Sequence, residues 1–179
     1  MALKATVHKA DVSISDLDRN YYHDHSLTLA KHPSETDERM MVRLVAFALN
    51  ASERLEFGRG LSNEEEPALW RKSLSGEIEL WIDVGHPEER RLRKACGMAA
   101  GVKVYCYGER SSEVWWRQNE TALARLRNLS VVGLQAPGIG QLVQRTMRLQ
   151  CTIEGGYLWL SSGDVQCEVI VNSWSSNRA

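Results

Sequence analysis

The sequence is short of most features that would place it quickly. Its four cysteines, Cys96, Cys106, Cys151 and Cys167, form no C-x-x-C spacing, which removes the commonest zinc and dithiol signatures. Each falls on an apolar periodicity, so reduced thiols inside a core are expected. No apolar run approaches the roughly 20 residues of a membrane-spanning helix. The opening Met1-Ala-Leu-Lys-Ala-Thr6 lacks the build of a secretory leader, so a cytoplasmic location without a membrane partner is expected. Neither sign of charge dominates: 22 Lys and Arg against 23 Asp and Glu leave a net −1. That argues against a broad electrostatic grip on nucleic acid and leaves only a local basic patch to make one. No G-x-S-x-G, P-loop or G-x-G-x-x-G occurs, so serine hydrolases, P-loop nucleotidases and Rossmann dehydrogenases lack their usual signatures. Nor does a linker divide the 179 residues, and one domain spanning 1–179 is expected.

What is present centres on the strand signal Gly76–Gly85 and the helix signal Pro87–Ala99 behind it. Ile78, Leu80, Ile82 and Val84 alternate with Glu77, Glu79, Trp81 and Asp83, which puts the aliphatics on one face and three carboxylates around a tryptophan on the other. A neighbouring strand–helix–strand pattern makes this strand interior, with both faces covered. Buried carboxylates need a cation, a metal or a proton as partner.

The chain around it reads as a hairpin, an α/β unit and a meander. Leu3, Ala5 and Val7 share one parity and Ala10, Val12 and Ile14 the other, which predicts a bulge near His8-Lys9. The polar turn 16–20 leads to a strand over Tyr21–Ala30, closing a hairpin. Ser34 is the expected N-cap of a helix to about Asn50, with Glu35, Asp37 and Glu38 in its first turn and Met41, Leu44, Val45 and Ala48 as its buried stripe. Glu38 flanks that stripe and points towards the core boundary. A short strand follows at 54–58, then an acidic helix start over Asn63–Trp70 with Pro67 in its first turn. After the central strand and helix come a strand at 103–107, a helix over Glu113–Arg127 and a strand at 129–134. Short connections imply right-handed crossovers and three roughly parallel strands. Alternations from Met147, Tyr157 and Val165, separated by turns at Gly155-Gly156 and Ser162–Asp164, form the closing meander. The fold class is α+β or mixed α/β.

Several residue groups invite chemistry. Glu79 and Asp83 share a strand face but lie about 13 Å apart, too far to share one metal unaided. A third carboxylate, Glu38 or Glu66, would have to complete a Mg²⁺ site. His23 and His25 share a face, but nothing completes a zinc set. Trp115-Trp116 could stack on bases, although Trp115 falls on the helical core stripe. Arg90, Arg91, Arg93 and Lys94 read chiefly as a solvated helix with pairs such as Glu89 to Arg93.

One resemblance emerges from His32-Pro33-Ser34-Glu35-Thr36, Glu38-Arg39-Met40-Met41, Leu80–Gly85, Pro87, Arg90-Arg91 and Lys94-Ala95-Cys96. Together these resemble the bacterial YaeQ family, nearly end to end. The family brings no settled activity. The resemblance implies a restriction-endonuclease-like central sheet with flanking helices, a variation of the PD-(D/E)XK core at about 34–134, decorated by the N-terminal hairpin and C-terminal antiparallel meander. In that superfamily a helix acid and two sheet acids hold Mg²⁺ or Mn²⁺, and a lysine two residues after the second acid polarises water or phosphate. The resemblance assigns Glu38 to the helix acid and Asp83 to the E-x-K acid, with Glu79, or else Glu66, as the other. Gly85 stands where the lysine should be. Lys94 on the next helix could substitute; helical periodicity turns it roughly 150° from the apolar stripe, whereas Arg91 lies nearer its edge. Two readings follow: a Mg²⁺-dependent phosphodiesterase of nuclease type with a degenerate site, or a non-catalytic protein- or nucleic-acid-binding module on the same core.

Overall fold

The computed structural model describes residues 4–59 and 64–175. The strands are β1 (Thr6–Asp16), β2 (Tyr21–Lys31), β3 (Leu55–Phe57), β4 (Leu69–Lys72), β5 (Ile78–Val84), β6 (Ala99–Cys106), β7 (Leu129–Gln135), β8 (Thr146–Glu154), β9 (Tyr157–Ser162) and β10 (Val165–Ser175). The helices are α1 (Asp37–Asn50), α2 (Glu89–Met98) and α3 (Glu109–Leu123), with a 3₁₀ turn at Ile139–Leu142. The expected mixture of helix and sheet is present, and so are the hairpin β1–β2, the parallel trio β5–β6–β7 and the meander β8–β9–β10. Sequence periodicity did not foresee their union. β8 adds parallel to β1 and β10 pairs with β7, giving one sheet in the order β2-β1-β8-β9-β10-β7-β6-β5-β4-β3.

That sheet curls around α1. The edge strands β2 and β3 both reach Phe47: His25 meets its ring edge-on at 5.1 Å and Phe57 stacks on it at 5.7 Å. Accordingly α1 is buried over Met40–Ala48, all round rather than along one stripe. A helix enclosed in this way must be apolar on every side. Its one buried cation, Arg43, is satisfied by Glu35 at 2.6 and 3.0 Å and by the Ala30 carbonyl at 3.1 Å. On the opposite face of the sheet, α2 and α3 cover Trp81, Val102, Val104 and Val131.

Four local expectations are corrected. No bulge interrupts β1 near His8, because β1 pairs with β2 in unbroken register from Thr6 to Asp16. His8 takes the inward position, its Nδ1 at 2.8 Å from the Gln144 carbonyl, and Val7 faces solvent. Thr36, not Ser34, caps α1: Thr36 Oγ1 accepts from Arg39 N–H at 3.1 Å, while Ser34 Oγ is engaged by His32 at 2.7 Å. Glu35 therefore lies before the helix, buried against Arg39 and Arg43. The acidic helix start is instead a turn at 64–66 followed by β4, where Leu69 pairs with Ile82 and Trp70 with Trp81; Asn63 lies outside the described residues. Lastly α3 begins at Glu109, four residues ahead of expectation, behind Gly108 in the left-handed region.

Candidate functional site

Asp83 is the centre from which the site is built. It lies near the end of β5, only 4 % exposed, on the face covered by α2. A buried carboxylate is tolerable only with its charge met. Arg91, in the first turn of α2, meets it with two parallel bonds, Nε to Oδ2 at 2.8 Å and Nη2 to Oδ1 at 3.0 Å. The same guanidinium donates to the Glu64 carbonyl at 2.6 Å and the Glu66 carbonyl at 2.9 Å, tying β5 and α2 to the loop before β4. Its face lies 5.6 Å from the Trp81 ring. Hydrogen bonding to Asp83 raises the Arg91 pKa further despite burial, so this pair is a fixed ionic clasp.

A cleft of about 600 Å³ opens where β5 and β6 end, lined by Asp83, His86, Arg91, Glu38, Arg39 and Glu66 among others. The carboxyl ends of parallel strands are the usual place for a ligand in an α/β sheet. Gly85 turns the chain there at φ +106°, a conformation an L side chain rarely adopts. A side chain at this position, lysine included, would be strained. On the cleft rim His86 Nε2 lies 2.7 Å from Ser112 Oγ, and Ser112 donates its only hydroxyl proton to the Tyr107 carbonyl at 2.6 Å. Nε2 must then carry a proton and donate. Burial pulls the His86 pKa below the ordinary histidine value.

The three sequence-selected acids do not come together. Glu38 is exposed, not at the core boundary, and reaches only the rim of the Asp83 cleft. Glu79 leaves altogether. Leu80 pairs with Arg71 but Ile78 with Lys72, so Glu79 is an extra residue, a β-bulge in β5. The bulge reverses the alternation: Leu80, Ile82 and Val84 pack towards α1, while Ile78 joins Trp81 on the α2 side. Glu79 turns to the α1 face, where Arg71 holds it at 2.9 Å and Arg54 at 3.4 Å. The hydrogen bond from Arg71 is the main reason its pKa is lowered. Glu66 lines the Asp83 cleft but accepts from the Arg59 backbone N–H at 2.9 Å. Of the two cationic candidates, Arg91 is in the cleft, whereas Lys94 is exposed and lines none of it. Among the described residues no three His, Cys, Asp or Glu side chains are placed to hold a metal ion. With both Asp83 oxygens accepting from Arg91 and Glu79 on the other side of the sheet, the residues as arranged do not fit a carboxylate-held Mg²⁺ or Mn²⁺.

The other groups resolve into structure. His25 Nε2 bonds the Tyr21 hydroxyl at 2.7 Å, and the His23 and His25 rings are tilted 6.4 Å apart. Trp115 packs in the core under α3 and donates to the Pro87 carbonyl at 3.0 Å, while Trp116 stacks on Trp174. Glu89 pairs with Arg93 as the helical spacing predicts. The four cysteines are free; Cys106, Cys151 and Cys167 are buried and Cys96 half-buried. Among the described residues no helix is long and apolar enough to cross a membrane. Sequence reasoning missed Glu35 as a buried ion-pair partner, although its spacing to Arg39 and Arg43 (four and eight residues) was a usable signal.

The model of the YaeQ protein family matches residues 1–171. The chain belongs to the YaeQ family. The relatives named "Uncharacterized protein YaeQ" from Escherichia coli (strain K12) and Salmonella typhi are each 48% identical over 177 residues, covering 97% of this chain and 98% of theirs. The crystal structure of the YaeQ protein from Xanthomonas axonopodis pv. citri superposes with a TM-score of 0.93 at 47% identity, covering 96% of this chain and 99% of that one. That of the Pseudomonas syringae YaeQ protein gives 0.89 at 34% identity, with 98% of each chain covered. These family members share the fold from end to end, and their names assign no reaction.

Proposed function

We propose that this YaeQ family member is a non-catalytic binding module on a nuclease-like core, and that its cleft at the ends of β5 and β6 takes a basic protein segment. The order α1, β3–β5, α2, β6 follows the helix, strands, helix, strand pattern of the PD-(D/E)XK core, which supports that ancestry. The observation that carries the loss of catalysis is the Asp83–Arg91 clasp. A guanidinium occupies both oxygens of the one well-buried candidate acid, where a nuclease would place a divalent cation. The rim favours a cationic partner over a phosphodiester. Glu38 and Glu64 line it, whereas Arg91 is spent on Asp83 and Arg39 pairs with Glu35. An adjoining cleft adds Asp37, Glu109 and Glu168. Acidic clefts raise the local concentration of cationic partners and repel nucleic acid.

The rival is a Mg²⁺-dependent phosphodiesterase, and one set of measurements separates the two. Lys/Arg-rich peptides should bind in EDTA, weaken as salt rises, and weaken further in Glu38→Gln/Glu64→Gln. Single- and double-stranded DNA and RNA should remain intact with Mn²⁺, and titration with Mn²⁺ should release no heat that Asp83→Ala removes. Cleavage that requires Mn²⁺ and disappears in Asp83→Ala would overturn the proposal.

A further inference from the structure

The α1 side of the curled sheet holds a second feature, unrelated to the Asp83 cleft. Between the sheet's two edges lies a depression of about 450 Å³, lined by Tyr21 and His23 of β2, Ser52, Glu53 and Arg54 beyond α1, Arg71 of β4, and Glu79. Beside it Lys103 rises from β6 on the same face as Tyr105. Its ammonium donates to Asn50 Oδ1 at 2.7 Å, and among the described residues it has no carboxylate partner. Asn50 passes the contact to the buried Tyr105 hydroxyl at 2.7 Å and to the Ala46 carbonyl, so this network offers no negative charge.

Burial is the main reason the Lys103 pKa lies below the ordinary lysine value, and the charges of Arg19 and Arg71 lower it further. Arg19, Arg54 and Arg71 are balanced by Asp16, Glu53 and Glu79, so the positive charge left over in this region is that of Lys103 itself. Part of this has a structural purpose. Helix α1 has no basic residue in its last turn, and Arg19 satisfies its end through the Ala48 and Ala51 carbonyls. Lys103 bonds a side-chain amide instead and is left over. One further observation concerns a hydroxyl in the wall. Ser52 Oγ, in the wall of the depression, is buried with no hydrogen-bond partner. That oxygen is closed off from the depression, so what is missing on the open side is an acceptor bearing negative charge for Lys103.

We propose that this seam is a binding site for a small oxyanion, a free phosphate or a phosphomonoester, with Lys103 and Arg71 as its donors. Charge-assisted bonds from an ammonium and a guanidinium suit the three terminal oxygens of a phosphoryl group, and a wall contributed by Tyr21 and His23 leaves room for an organic substituent. The site asks for no metal.

The test uses the full chain in EDTA at constant ionic strength. Inorganic phosphate and glycerol phosphate are titrated against a chloride control by calorimetry and by two-dimensional amide NMR. Saturable shifts are expected at Ser52, Arg71 and Lys103, absent with chloride. Lys103→Met should lower affinity about tenfold, the value of one charge-assisted bond. Arg54→Gln, at a half-exposed position where folding is not at risk, should lower it by a smaller factor through charge alone. Tighter binding of glycerol phosphate than of phosphate identifies an organic ligand; equal binding identifies the free ion. The proposal is overturned if chloride reproduces the shifts, if they map elsewhere, or if Arg54→Gln and a folded Lys103→Met both bind like wild type. It is equally overturned if only oligonucleotides, and neither small anion, bind there.

Discussion

Asp83 and Glu79 lie four residues apart on one strand and end on opposite faces of the sheet. Asp83 is buried and gripped by a single arginine that also fastens a loop. Glu79 is open to water and shared between two arginines from neighbouring segments. One extra residue in β5 separates them. The bulge converts what alternation reads as one acidic face into two unrelated environments, one inside an ionic clasp and one on the rim of a basic seam. A carboxylate's chemical prospects are set by register as much as by identity.

The comparison breaks hardest at Arg91. Arg91→Ala leaves Asp83 ionised and buried without its cation and frees the Glu64 and Glu66 carbonyls. The expected loss is about 3 kcal/mol, the low end for a buried pair because Arg91 keeps some exposure. Denaturant unfolding measures it. Asp83→Asn/Arg91→Met, which removes both charges, should recover much of that loss. If Arg91→Ala proves as mild as a surface substitution, the clasp is not what holds this end of β5.

Both faces should respond to acid, each through a histidine whose pKa burial lowers: His86 on the rim of the Asp83 cleft and His25 on the α1 face. Burial lowers the His25 pKa, and the nearby His23 lowers it further. The neutral ring is therefore favoured in the folded state, and the unfolded chain binds the extra proton first. The stabilisation is fully present above the ordinary histidine pKa of about 6.5 and is lost as pH falls through the folded value. Unfolding midpoints should drop between about pH 7 and pH 5 and drop less in His25→Gln, while NMR titration places His25 below the ordinary histidine value. A His25 titration at or above the ordinary value would leave the acid response to the Asp83 face alone.

The fold was legible where hydrophobic period and turn chemistry agreed, as in β8–β10 and in the β5–α2–β6 unit. Failures arose where a choice between local options is settled elsewhere in the chain. Ser34 and Thr36 can both cap α1; His32 engages the first and leaves the second. His8 looks like a break in alternation because its inward partner, the Gln144 carbonyl, lies 136 residues away. Residues 64–70 carry the acids and proline of a helix start, but Trp70 and Leu69 find partners in β5 that no local pattern announces. The Glu79 bulge is of the same kind, since Ile78-Glu79-Leu80 alternates perfectly on paper and the extra residue appears only against β4. At the candidate site Arg91 was readable from helical azimuth, and Gly85 from the absence of the expected lysine. The convergence of Glu38, Glu79 and Asp83 could not be judged without the register.

The smallest effect belongs to Glu79 and completes the contrast. Its pKa is lowered by the Arg71 hydrogen bond and the Arg54 charge, so its contribution is present above the ordinary carboxylate value and fades as pH falls through the lowered one. Solvent screens an exposed pair strongly, and each arginine keeps water as an alternative partner. Glu79→Gln should therefore leave the unfolding midpoint at pH 7 almost unchanged, and high salt should erase the remaining difference. The same substitution adds one unit to the charge of the seam, so it should tighten phosphate binding there while Arg91→Ala leaves that binding alone. Equal destabilisation by Glu79→Gln and Arg91→Ala would mean that both carboxylates are structural keystones and that the bulge does not divide the strand into two functional faces.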